Sequence, residues 1–234
     1  MNKIKVGCCG FPINIKEYFK KFKTAEIQKT FYKPIKIETA KKWREIAGNE
    51  FEFTLKAWQL ITHECTSPTY RKAGIKVEND RKYGNFSNTK EVFEAWDKTY
   101  NIAKALNASF ILFQCPKSFE PKKENIDNIY SFFSSIERDI RFAFEPRGKE
   151  WSGKIKKICD ELKLVHCVDP FISKPKTKEI FYYRLHGIGG YKYRYSIDEL
   201  RKLKEFCIGR TYCFFNNVYM YDNSLEFLKL IGEK

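Results

Sequence analysis

Phe110-Ile111-Leu112-Phe113-Gln114, then an amphipathic stretch over Ile126 to Ser135, then Arg141-Phe142-Ala143-Phe144-Glu145, is the part of the chain that decides the fold. Two short apolar runs, each ending in a polar residue, flank a segment whose apolar positions recur at helical spacing. A strand–helix–strand unit of this length implies parallel strands joined by a right-handed crossover. The same alternation extends in both directions. Strands are expected at Lys3 to Cys9, Ala25 to Gln28, Phe51 to Lys56, Leu164 to Val168, Ile180 to Leu185 and Thr211 to Phe215. Helices are expected at Ile37 to Ile46, Glu91 to Leu106, Ile155 to Leu162, Ile197 to Phe206 and Ser224 to Ile231, with Asn125 and Ser196 as helix caps.

Eight such units close most naturally into a (β/α)8 barrel, and no linker-like stretch divides residues 1–234, so the expectation is one α/β, TIM-barrel-like domain. An open dinucleotide-binding sheet is disfavoured, because Gly7-Cys8-Cys9-Gly10 lacks the GxGxxG spacing and Pro12 follows where a helix should start. Residues 57–90 are too long and too polar for a plain crossover and read as an elaborated loop after strand 3, lying over the barrel mouth.

In such a barrel, chemistry gathers where strands end. Side chains alternate along a strand, so Arg184 and His186 share a face, as do Ala143 with Glu145 and Phe214 with Asn216. If these faces look inward, Glu145, Arg184, His186 and Asn216 converge at the mouth. Such a convergence is either a self-satisfied polar rim or a ligand site. Lys56 ends the third strand, where a phosphate-binding or Schiff-base lysine would sit; His63 lies in the long loop, where an ordinary surface role is equally open.

The composition bounds the classes of function. Lys plus Arg is 44 against 29 Asp plus Glu, a net charge of +15, and only ten of the 44 are Arg. Scattered Lys is what keeps an aromatic-rich chain soluble, whereas specific phosphate and base contacts favour the Arg fork. The surplus is read as solvated surface or as a field that attracts anions. No run of 18 apolar residues and no leader-like segment is seen, so a cytoplasmic protein without a membrane span is expected. Eight Cys without a CxxC pair read as reduced, buried thiols; Cys9 at a strand end is a weak nucleophile candidate. Three His are too few for a multinuclear His-rich metal site, although one oxygen-ligated ion on Glu26, Glu145 or Asp169 stays open.

The ordered set Gly7-Cys-Cys-Gly-Phe11, Glu26-x-x-x-Thr30-Phe31-Tyr32, Phe53-x-x-Lys56-Ala57, Thr62-His63, Phe113-Gln114-x-Pro116, Glu145-x-Arg147-x-x-x-Trp151, Asp169, Tyr183-Arg184-x-His186-Gly187 and Phe215-Asn216-Asn217 resembles the domain-of-unknown-function 72 (DUF72, YecE-like) family. The resemblance spans almost the whole chain and implies a TIM-barrel-like fold without naming a reaction. It departs from many relatives at Cys9, Phe11, Gln28 and Gly148. It implies site residues at Glu26, Thr30, Tyr32, Lys56, His63, Gln114, Glu145, Arg147, Asp169, Arg184, His186 and Asn216.

Together these residues suggest a site for an anionic small molecule or phosphate, with Lys56, Arg147, Arg184 and His186 as donors and Gln114, Asn216, Tyr32, Thr30 and His63 around them. Glu145, His186, Glu26 and Asp169 would handle protons if the protein is an enzyme, in hydrolase-like or phosphate-handling chemistry. The alternatives are nucleic-acid binding through Tyr191-Lys192-Tyr193-Arg194-Tyr195 and the 57–90 loop, and a catalytically silent scaffold. Cofactor and oligomeric state are not specified by the sequence.

Overall fold

A computed structural model describes residues 4–77 and 82–232. Eight parallel strands are present: β1 (Ile4–Cys8), β2 (Thr24–Ile27), β3 (Glu52–Lys56), β4 (Phe110–Gln114), β5 (Arg141–Glu145), β6 (Val165–Val168), β7 (Ile180–Leu185) and β8 (Arg210–Phe215). Their order, β1-β8-β7-β6-β5-β4-β3-β2, leaves one seam between β1 and β2. A single bridge, Cys9 to Glu26, joins the seam, and Gly10 N–H donates to the Glu26 carbonyl at 2.8 Å. Gly7 permits this approach, since a Cβ there would lie 2.3 Å from the Thr24 carbonyl oxygen. The result is a nearly closed (β/α)8 barrel.

The helices are α1 (Ile15–Lys21), α2 (Lys29–Tyr32), α3 (Ile37–Ala47), α4 (Gln59–Thr62), α5 (Pro68–Lys72), α6 (Lys90–Leu106), α7 (Lys123–Ser135), α8 (Ile155–Glu161), α9 (Ile197–Phe206) and α10 (Met220–Ile231). Ser196 and Glu199 form a reciprocal capping box at the start of α9, satisfying two free N–H groups at once. The expected Asn125 cap is corrected: α7 starts three residues earlier, after Lys122, and Asn125 Nδ2 donates instead to the Glu120 carbonyl at 2.8 Å. Polar Lys123 and Glu124 mask that first turn from a periodicity reading. The helix α1 and the short α2, α4 and α5 are also additions to the sequence expectation; one or two turns hold too few apolar positions to register a period. Lys3 lies outside the described residues.

Strand alternation sorts the core into two populations. Ile111, Phe113, Phe142, Phe144, Leu55 and Phe53 face outward into a helix-covered layer, where Phe86, Phe119, Phe132 and Phe133 pack in tilted and edge-to-face contacts. Phe110, Leu112, Ala143, Cys167, Tyr182, Tyr212 and Phe214 fill the barrel interior. Each large side chain so buried contributes about 1.5–3 kcal/mol. The interior is therefore a packed plug rather than a channel, and whatever the strands carry above that plug forms the mouth.

Candidate functional site

The inward residue above the plug on β7 is Arg184, fully buried. Its Nε donates to both oxygens of Glu26 on β2, at 3.1 and 3.0 Å, and Nη2 donates to Glu26 Oε1 at 2.9 Å. Nη1 donates to Glu145 Oε2 on β5 at 2.7 Å and to Gln114 Oε1 on β4 at 3.1 Å. The remaining Nη2 proton faces Cys9 Sγ at 3.7 Å. All five guanidinium donors are thus committed to the protein. Burying one cation and two carboxylates is tolerable only because each is paired and hydrogen-bonded.

Glu26 is completed by Tyr182, whose hydroxyl donates to Oε2 at 2.9 Å and meets Thr54 Oγ1 at 2.9 Å, and by the Cys9 thiol at 3.3 Å. Tyr182 is an addition to the expected site residues, and its place two residues before Arg184 on the same inward face was the signal for it. Burial pushes the Cys9 thiol well above the ordinary thiol value and the Cys8 thiol up to about 12, which makes both poor nucleophiles.

Glu145 faces the outer edge of this cluster. Burial acts to raise its carboxyl, but Arg184, His186 and Arg147 together hold it well below the usual carboxylate value. Oε1 lies 3.4 Å from the half-exposed Arg147 Nη2 and 3.4 Å from His186 Nε2. His186 Nε2 is close enough for charge attraction, but the alignment makes no hydrogen bond and leaves a buried, unpartnered ring nitrogen. The other face of the ring is fixed by a relay: Gln28 Nε2 donates to Asn216 Oδ1 at 2.7 Å, and Asn216 Nδ2 sits 3.1 Å from His186 Nδ1. With the amide nitrogen donating, Nδ1 accepts, and the ring N–H is the one at Nε2, toward Glu145. The Gln28 link was not anticipated from sequence.

Lys56, the last residue of β3, is 6% exposed, and its Nζ sits 3.5 Å above the centre of the Phe31 ring. Among the described residues its amine has no hydrogen-bond acceptor and no carboxylate partner. Burial, followed by the positive charge of Arg184, draws the amine down to about 7, against the opposing pull of Glu145 and Glu26. The ring face favours the charged form by about 0.5–2 kcal/mol. A displacement from 10.5 to about 7 corresponds to roughly 5 kcal/mol, so desolvation wins.

The remaining expected site residues are nearby or serve the framework. Asp169 accepts Phe171 N–H at 3.0 Å and His186 N–H at 3.1 Å, one on each oxygen, so it positions the His186 backbone. Burial raises its carboxyl above the ordinary value. Thr30 Oγ1 lies 2.6 Å from the Lys56 carbonyl and 2.8 Å from that of Ile27, tying α2 to β3. His63 is buried, meets Thr62 Oγ1 at 2.8 Å and packs edge-on to Phe31 at 4.9 Å; burial lowers it to about 3, so it is neutral. Tyr32 packs edge-on to Phe31 at 5.0 Å, with its own ring under Lys72.

The basic–aromatic segment is largely committed internally. Tyr195 is buried and its hydroxyl accepts Gly187 N–H at 2.9 Å, Tyr193 donates to Glu199, and Arg194 pairs with Glu226 at 2.8 Å. Tyr191, 56% exposed, is the ring left free in that segment. Part of the 57–90 loop, residues 78–81, lies outside the described residues. No group of three or more His, Cys, Asp or Glu side chains arranged to hold a metal ion occurs among the described residues, and no described helix is long and apolar enough to cross a membrane.

The fold and this cluster define a parallel barrel protein with ionisable groups gathered at the carboxyl ends of its strands. The chain belongs to the DUF72 family, described as a protein of unknown function, whose model matches residues 12–232. Among solved structures it is similar to a DUF72 family protein from Enterococcus faecalis V583, at 16% identity and a TM-score of 0.78, covering 99% of this chain and 96% of that one. A second, from Thermotoga maritima MSB8, has 21% identity and a TM-score of 0.72, covering 98% and 99%. A D-allulose 3-epimerase from Methylomonas sp. in complex with D-allulose shares the fold at 11% identity and a TM-score of 0.55, covering 97% and 96%. No match was found among curated proteins.

Proposed function

We propose that the barrel mouth binds a small anionic ligand, phosphate-bearing in the first instance, and that Glu145 with His186 manages proton movement there. The observation that carries this reading is the division of labour among the cations. Arg184 spends every donor on protein acceptors, whereas Arg147, 43% exposed at its side chain, donates among the described residues only to Glu145 Oε1, at a long 3.4 Å. Lys56 has no acceptor at all among the described residues. Unspent donors beside a shared carboxylate are what an incoming anion needs.

This moves the expected anion from Arg184 to the Arg147–Lys56 side of the mouth. Glu145 is held ionised, which makes it a weak base and suits it to orient the His186 Nε2 it faces at 3.4 Å; His186 would pass a proton to a bound ligand. Binding of an anion would also favour the charged form of Lys56, so proton uptake should accompany it near neutral pH. Titration calorimetry with inorganic phosphate in two buffers of different ionisation enthalpy tests both points. Binding with proton uptake, weakened about tenfold in Arg147→Ala, is expected, since a charge-assisted contact is worth about 1.5–3 kcal/mol. No phosphate binding at low ionic strength, or affinity unchanged by Arg147→Ala, would overturn the reading.

A further inference from the structure

Lys56 offers more than charge. The residue is more than nine-tenths buried, its amine stands over an aromatic face instead of an oxygen, and it projects from the end of an inward strand position beside Arg184 and Glu145. The two carboxylates that could have neutralised it are already occupied, Glu26 by Arg184, Tyr182 and Cys9, and Glu145 by Arg184, Arg147 and His186. Its backbone is pinned by Thr30, so the side chain leaves a fixed point. An ion-pairing lysine would sit against a carboxylate. A lysine that only covers a ring would keep its head in water. This one has no carboxylate against it, and the residue is only 6% exposed.

We propose that Lys56 is a covalent amine that condenses with the carbonyl carbon of an aldehyde or ketone bearing an anionic group. The anionic half of this statement rests on the binding reading above; the amine half does not. The neutral Nζ lone pair forms the N–C bond while the carbonyl π pair moves to oxygen. That oxygen takes a proton, and the nitrogen sheds one to give the carbinolamine. The C–O bond then breaks as water departs with a proton taken from solvent, and the nitrogen lone pair closes the C=N bond, leaving a protonated imine on Lys56. No electrons are gained or lost, so no redox partner is required.

The chemistry suits an amine half neutral near pH 7, where an ordinary lysine near 10.4 is neutral in about one molecule per thousand or fewer. Arg147, on the solvent side of Glu145, is placed to seat the anionic group while the carbonyl reaches inward.

The test uses the full chain with two probes, glycolaldehyde and glycolaldehyde phosphate, each with sodium cyanoborohydride, which reduces the imine to a stable secondary amine by adding hydride to carbon. Peptide mass mapping then compares Lys56 with the other lysines of the same molecule. The expected result is labelling of Lys56 about tenfold or more faster than the mean of the others at pH 7, faster with the phosphorylated probe, and levelling off above pH 7 while the other lysines continue to gain. Arg147→Ala should slow the phosphorylated probe more than the uncharged one, which feels only the loss of the small contribution the Arg147 charge makes to lowering the Lys56 amine. Equal labelling of Lys56 by both probes keeps the imine and overturns the anionic group. Labelling of Lys56 no faster than the rest overturns the imine, and it does so even if calorimetry shows phosphate bound.

Discussion

Replacing Arg184 by Met removes the cation that two buried carboxylates share while keeping an unbranched side chain of similar reach. Glu26 is fully buried and Glu145 is 7% exposed, so neither can rehydrate without opening the mouth. Breaking one buried charge pair costs about 3–5 kcal/mol. Here two carboxylates lose their guanidinium, although Tyr182 and Cys9 still donate to Glu26, and Arg147 still faces Glu145. A loss of about 4–6 kcal/mol at pH 7 follows, which for a chain of this length lowers Tm by about 8–24 °C. The pH dependence carries the sign. In the native protein Glu145 is held below its unfolded value, so its stabilisation is full above that unfolded value, near 4.5, and fades as pH falls through the depressed folded one. In Arg184→Met the uncompensated burial puts its folded value above the unfolded one, so it destabilises at neutral pH and that cost is relieved on acidification. The gap between native and variant should therefore shrink from pH 7 to pH 4.5. Urea denaturation followed by circular dichroism at three pH values in this window measures it. A gap under about 1 kcal/mol at pH 7, or one that widens as pH falls, would refute the argument that Arg184 is held by paired burial.

Three further outcomes follow from the same geometry. Gly187 has φ +91° and a Cβ there would lie 2.2 Å from the Gly190 carbonyl oxygen, so Gly187→Ala should cost about 1–3 kcal/mol in thermal unfolding and displace His186, seen as a changed imidazole NMR shift. Asp169→Asn replaces one of two backbone-accepting oxygens by a donor, and a loss of about 1–3 kcal/mol is expected, with phosphate affinity changed less than in Arg147→Ala. Lys56→Met removes an amine whose folded value, about 7, lies below its unfolded one; native stability should rise with pH between about 7 and 10.5, and the variant should lose that slope and gain roughly 2–4 kcal/mol below pH 7, in urea melts across pH 6–10.

Much of this architecture is legible in the sequence, and the reason is local. The strands are short, mostly apolar runs, as the interior of a parallel barrel requires; β3, β4 and β5 end in Lys56, Gln114 and Glu145, and Gln28, Asp169, His186 and Asn216 directly follow β2, β6, β7 and β8, so strand positions and inward parity follow from alternation alone. Arg184, Glu145 and Asn216 could therefore be placed on the same rim. What alternation does not give is which partner each inward group takes. The choice of Glu26 over a ligand by Arg184 is set by barrel closure across the β1–β2 seam, a contact between residues 158 positions apart. The Gln28–Asn216–His186 relay depends on the same seam. The short α4 and α5 after β3 are set by turn geometry and by contacts such as the Tyr70 hydroxyl on the His63 carbonyl at 2.9 Å, none of which leaves a period in the sequence.

The net charge of +15 acquires a different weight once the mouth is resolved into layers. The innermost cation, Arg184, is neutralised in place by two carboxylates and adds little to the field outside. Most of the surface lysines are exposed, several of them in i,i+3 or i,i+4 pairs such as Lys20 with Glu17 and Lys156 with Asp160, where each pair is worth only about 0.2–0.5 kcal/mol and is screened by salt. Between these layers stand Lys56 and Arg147, the two cations that burial or geometry keeps from full pairing. Coulomb energy rises as the effective dielectric falls, so a charge on Lys56 acts on a ligand several times more strongly than the same charge on an exposed helix. The burial that strengthens it also makes its protonation depend on what is bound. An anion arriving at Arg147 would find Lys56 partly neutral and, by binding, favour its protonation; a carbonyl arriving instead would find the neutral amine. One residue thus couples the charge of the ligand to the reactivity of the site, and the pH range over which that coupling operates is centred near 7.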